Sequence, residues 1–194
     1  MKSFHGSIME IYIRIDGWPL IRIYLQIDYE KEGVIIQMHI KTRVFGEVEI
    51  EDSKIIIFER GIVGFPEMQK FAIIHDEEKG VNAGIRYLQS VDEPEFAMPV
   101  MDPLEIMPQY DPEVEDELLK PLGNITGENL LVLVTVSVPR EIEKISVNLQ
   151  APIIINAEER KGVQVIVESG DYKVKYPIYD ILQERKKSAE GEGN

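Results

Sequence analysis

Leu130-Leu131-Val132-Leu133-Val134-Thr135-Val136-Ser137-Val138 is the strongest β-forming run in the chain, free of charge and ended by Pro139. An extended segment that is apolar on both faces needs cover on both sides, so this run reads as a central core strand. Around it the sequence repeats the same signal in shorter form. His39 to Val44 and Glu47 to Ile50 flank Phe45-Gly46 and predict a hairpin turning near Gly46. Ile55-Ile56-Ile57-Phe58 reads as a buried strand, and Phe71 to Ile74 and Arg86 to Val91 read as two more, joined by the polar turn Asp76 to Gly80. Ile145 to Leu149, Ile153 to Ile155 and Val163 to Val167 complete the set, with Arg160-Lys161-Gly162 as the turn before the last.

Helical periodicity is scarce. Pro112 and the acids that follow it, with Gly123 just beyond Leu119, predict one short helix whose positive end faces anions. A second short helix is expected over Ile178 to Lys187, followed by a frayed tail through Gly191, Gly193 and Asn194. About nine short strands at turn spacing, with almost no helix between them, argue against βαβ units. The expected fold is mainly β: a small antiparallel β-barrel-like domain with one or two short helices.

The first 37 residues stand apart. Ile11, Ile13 and Ile15 alternate with polar residues, as do Ile21, Ile23, Leu25 and Ile27, across Asp16-Gly17-Trp18-Pro19. Two readings are open: an amphipathic hairpin that pairs with a sheet edge, or a translated leader upstream of a natural start at Met38. The expected organisation is therefore an extension over 1–37, the β domain over 38–180, and a helix end and tail over 181–194.

Charge limits the partners. The net charge is −14, and Asp92 to Glu117 holds ten acids without a Lys or Arg. Such a chain lacks the clustered cations that grip a phosphate backbone, so direct nucleic-acid binding is not expected. The same field would attract a cationic protein and would weaken with salt. Cysteine is absent, which removes disulfides, thiolate nucleophiles and Cys-based metal sites and fits a cytoplasmic location. No apolar stretch is long enough to span a bilayer: Ile8 to Ile27 is broken by Glu10, Arg14, Asp16 and Arg22. No membrane contact is expected.

Catalytic patterns do not emerge. His5, His39 and His75 form no metal-ligand spacing. Ser90, in Gln89-Ser90-Val91, lacks the glycines of a nucleophile elbow and reads as a strand-end hydroxyl. Gly61 and Gly64 match neither a phosphate loop nor a dinucleotide fingerprint and read as turn glycines. Asp111-x-Glu113-x-Glu115 resembles the start of a calcium loop but carries Asp116 where the loop needs its glycine. Nothing selects a carboxylate pair for hydrolysis. The residues alone describe an acidic, mainly-β protein that reads as a binder rather than an enzyme, with no metal or cofactor site legible.

Three segments in register resemble the FliW family of flagellar assembly factors. Phe58-Glu59-Arg60-Gly61-Ile62-Val63-Gly64-Phe65 is similar to the family's Phe-x-x-Gly-Ile-x-Gly-Phe. Tyr87 to Pro94, running on to Pro99-Val100-Met101-Asp102-Pro103, is the second. The third and most specific is Val147-Asn148-Leu149-Gln150-Ala151-Pro152-Ile153-Ile154-Ile155-Asn156, followed by Arg160 to Val165. Glu59 and Val63 stand where prolines are expected, and Tyr176-Pro177 replaces the family's His-Pro. The resemblance runs from Met38 to about Ile178.

It implies a β-barrel-like protein with no enzymatic activity that binds the carbon storage regulator CsrA, a cationic repressor of flagellin translation, and that also binds flagellin. Flagellin export would then free the factor to capture the repressor. An export chaperone serving flagellin alone is the alternative. The expected contact and steering residues are Asp92, Glu93, Glu95, Asp102 and Glu105, with Phe65, Tyr87, Phe96 and Tyr110 as apolar anchors. Reversing Asp92, Glu93 and Glu95 to Lys is expected to slow association without touching the fold. Gly61, Gly64, Gln89, Ser90, Asn148, Ala151, Pro152 and Asn156 carry the family motifs, and a structural role is expected for Asn148, Ala151, Pro152 and Asn156.

Overall fold

Strand pairing arranges the described residues into two sheets. The computed structural model describes residues 7–13, 21–30, 33–74, 84–168 and 170–191, with side chains from Met38 to Ser188 within those ranges. The turns expected at Asp16 to Pro19 and Asp76 to Gly80, together with His5, His75, Gly193 and Asn194, lie outside the described residues.

The first sheet pairs β1 (Ser7–Ile13), β2 (Ile21–Glu30), β3 (Gly33–Thr42) and β4 (Gly46–Glu51) antiparallel in sequence order. Gly46, at a φ of 70°, makes the expected turn between the last two, where Thr42 Oγ1 donates to the Gly46 carbonyl. The second sheet holds β5 (Ile56–Ile57), β6 (Lys70–Ile74), β7 (Ile85–Ser90), β8 (Ala97–Met101) and β9 (Leu130–Ser137). It continues with β10 (Ser146–Val147), β11 (Ile153–Asn156), β12 (Lys161–Gln164) and β13 (Tyr176–Pro177). Its helices are α1 (Asp116–Leu119) and α2 (Tyr179–Gly191).

β9 is the hub. One flank pairs with β8 through Val100 and Met101; along the other, β11 takes Leu130 to Leu133 and β10 takes Val136 and Ser137. The circuit β9-β8-β7-β6-β5-β12-β11-β9 therefore curls back on itself. Between β5 and β12 it is joined by one parallel pair, Ile57 with Lys161, so the sheet is curled and barrel-like without being a regular barrel. Antiparallel order holds at every other seam of the sheet.

The two faces of β9 fill different cores, as its continuous apolar run requires. Leu133 packs with Phe58, Phe71, Leu88, Val100, Ile153 and Ile155 inside the curl, while Val134 and Val136 pack with Val147, Leu149 and Ile178. Burying each of these large side chains contributes about 1.5–3 kcal/mol, and the edge-on Phe58–Phe71 pair, 5.2 Å between centroids, adds to that. Ile181 and Leu182 of α2 close the second core, and Ile154 faces a third cluster with Leu122, Val165 and Val167.

Several expectations shift. Pro99 hid β8 from the sequence reading; it pairs opposite Tyr87, within a strand whose neighbours still bond. The turn before β12 occupies residues 157–160, with Arg160 at a φ of 53°, so Lys161 already belongs to the strand. Val165 and Val167 are buried but follow the strand rather than form it. α1 is a single turn continued by a 3₁₀ turn, Lys120–Leu122, and α2 runs on to Gly191, which the expected tail had included.

Candidate functional site

The acidic stretch does not form one patch. β8 carries Asp92 to Glu95 to one of its ends and Asp102 to Glu117 to the other, about 17 Å apart at strand rise. That exceeds the roughly 8 Å over which charges act at physiological salt, so the two groups work separately.

At the first end the β7–β8 turn is held from within. Gln89, fully buried, donates through Nε2 to the carbonyls of Ser90, Pro94 and Phe96, and Ser90 Oγ accepts from the Glu93 amide at 3.0 Å. Asp92 Oδ2 accepts from the amides of Gln69 and Lys70 at 2.7 and 2.8 Å, pinning the start of β6. A residue expected to steer partners thus also ties two strands. Its reversal to Lys would break those bonds, against the expectation that the fold is indifferent. Glu93 is half-buried and Glu95 exposed beside Phe96, whose ring meets that of Phe65 at 4.8 Å. Phe65 is 37% exposed, and Val63 beside it is exposed as well. Phe65, Phe96, Glu93 and Glu95 therefore do come together, as an apolar spot with an acidic border. Gly61, at a φ of 64°, shapes that loop: a Cβ there would lie 2.5 Å from the Phe65 carbonyl oxygen. Gly64, at 89°, completes the turn.

Tyr87 stands elsewhere, half-buried with its ring edge-on to Phe45 at 5.0 Å. Tyr110 is a correction. At 7% exposure it is a core residue, its hydroxyl donating to the Leu149 carbonyl at 2.7 Å and its ring packed on Tyr172. Burial, and secondarily Tyr172, push its phenol well above the ordinary tyrosine range.

At the second end Asp102 caps a 3₁₀ turn, Pro103–Glu105, by accepting from the Leu104 amide at 2.8 Å. Glu105 is engaged too: Arg185 Nη1 of α2 donates to its Oε2 at 2.6 Å, so this acid meets a cation from its own chain. Beyond them the segment 102–125 lies over the outer side of β9 and β11 and leaves a groove of about 430 Å³. Leu104, Leu119, Ile125, Leu130 and Ile154 line it, with Asp102 and Asp111 on its border. The sequence reading missed these leucines; the signal was Leu130 to Val132, apolar on both faces and hence in need of an outer cover. Next to it, Asp111, Glu113, Glu115 and Glu168 line a more polar cleft.

The remaining motif residues build the frame. Asn148 Oδ1 accepts from the Gln150 amide, Ala151 and Pro152 are buried, and buried Asn156 joins the end of β11 to residues 122 and 124. Among the described residues no group of three or more His, Asp or Glu is placed to hold a metal ion, and no helix is long and apolar enough to cross a membrane.

The family described as FliW protein matches residues 39–178. A flagellar assembly factor FliW from Lachnospira eligens is 46% identical over 150 residues, covering 77% of this chain and 99% of that protein. Its counterpart from Lachnoclostridium phytofermentans is 44% identical over 155 residues, covering 80% and 99%. A crystal structure of the flagellar assembly factor FliW superposes with a TM-score of 0.66 at 30% identity, over 73% of this chain and 96% of that one. With the curled sheet, the Gly61–Gly64 loop and the buried Asn156 all inside the matched span, the chain belongs to the FliW family of flagellar assembly factors.

Proposed function

We propose that this chain is a non-enzymatic, cytoplasmic regulator of flagellar assembly that binds and antagonises the translational repressor CsrA and also binds flagellin. The observation that carries the reading is the contact of exposed Phe65 with half-buried Phe96, beside Glu93 and Glu95, at one end of β8. A repressor that binds RNA must present cations, and an acidic surface with apolar anchors both attracts it and competes with the phosphates it would otherwise hold. The aromatic pair supplies the buried area on which affinity depends, and the acids supply rate and orientation.

Calorimetric titration of the purified chain against CsrA and, separately, against flagellin tests this. Binding to both, weaker for CsrA as salt rises, is the expected result. Failure to bind CsrA at low salt overturns the antagonist reading, and binding to flagellin alone identifies an export chaperone.

A further inference from the structure

The groove beneath segment 102–125 is a second surface, at the opposite end of β8 from the Phe65–Phe96 pair. Leu104 is 53% exposed and Leu130 40%, and both line the same 430 Å³ space, floored by Ile154 and Val132. Isolated exposed leucines are ordinary, but two at the mouth of one apolar groove are not scattered singles. The groove exists because β9 and β11 are apolar on their outer side while the segment covers that side only in part.

Its polar chemistry narrows the occupant. Among the described residues, the ionisable side chains lining it besides Tyr110 are Asp102 and Asp111, and Glu113, Glu115 and Glu168 of the adjoining cleft extend the negative border, with no described Lys or Arg lining either space. Tyr110, the one hydroxyl-bearing side chain in the lining, is committed to Leu149. Convergent hydrogen-bond donors, which a polar metabolite would need, are therefore missing from the lining side chains. An anion would be repelled. A neutral apolar molecule would fill the groove but gain nothing from its border.

We propose that this groove docks a short amphipathic segment of another protein, with apolar side chains on Leu104 and Leu130 and with Lys or Arg against Asp102, Asp111 and the adjoining acids. The proposal rests on reading the chain as a protein-binding factor and assigns that function a second contact, separate from the aromatic pair.

A fluorescein-labelled amphipathic peptide of leucine and lysine, and its leucine–glutamate counterpart, are the probes, read by anisotropy and by amide chemical-shift mapping. The Leu/Lys peptide should bind, lose affinity as salt rises, and shift amides around Leu104, Ile125 and Leu130. Leu104→Ser and Leu130→Ser should each weaken it by about tenfold, while Phe65→Ser at the other end leaves it unchanged. The Leu104 side chain is exposed on its 3₁₀ turn, so its variant carries the test even if Leu130→Ser unfolds. Absence of binding, equal binding of the two peptides, an unchanged affinity in Leu104→Ser, or shifts confined to the Phe65 loop overturns the proposal. The CsrA and flagellin titrations decide the functional reading independently, and their failure leaves the peptide result standing.

Discussion

Asn156 ties three segments through one amide. Its Nδ2 donates to the carbonyls of Leu122 and Asn124 at 2.9 and 3.0 Å, and its Oδ1 accepts from the amides of Glu158 and Glu159. Because the group is fully buried, truncation leaves partners that water does not replace. Asn156→Ala should cost about 3 kcal/mol in chemical denaturation. Asn156→Asp should fare little better, since a carboxylate accepts where two carbonyls need a donor. Tyr110 gives a pH signature. Its phenol is raised in the folded chain, so its contribution is intact below the ordinary tyrosine value of about 10 and is lost as pH climbs beyond it, when the unfolded chain ionises first. Tyr110→Phe should lose about 1 kcal/mol at neutral pH, with the Leu149 hydrogen bond gone, and should show a shallower alkaline fall in a urea-midpoint series.

Hairpin β7–β8 separates two roles that the sequence could not tell apart. Asp92 and Glu95 are both exposed acids of one turn, yet Asp92 accepts from the amides of Gln69 and Lys70 at the start of β6. Asp92→Ala should therefore lower stability by about 1–2 kcal/mol, whereas Glu95→Lys should stay within about 0.5 kcal/mol and act on association rate instead. Thermal melts and stopped-flow binding read the two effects. Legibility at this scale followed local physics. The Gly46 turn and β9 were readable because glycine and a charge-free β run act within a few residues; α1 was readable only in part, since it begins at Asp116 and leaves Pro112 to Glu115 outside the helix. β8 was not, because Pro99 masks a strand that only its neighbours reveal. The shared space of Leu104 and Leu130 was not legible either, since it depends on how far segment 102–125 reaches across a sheet it meets only after folding.

Over the whole molecule the acids repel one another as well as attracting partners. With a net charge of −14, the folded chain should gain stability when salt is raised from low to physiological strength, and calorimetry should record a rising Tm in the absence of any partner. Complex formation should respond in the opposite sense, so the two slopes separate self-repulsion from recognition. The curl of the second sheet has its own consequence. Its seam at Ile57 and Lys161 is a lone parallel pair, with Ile57 donating to the Arg160 carbonyl, whereas β11 grips β9 through four residue pairs. Breathing motions should begin at that thin join, so deuterium should enter the Ile57 amide well before those of Leu133 and Ile155, and the curled sheet should unroll from there while its hub strand stays protected.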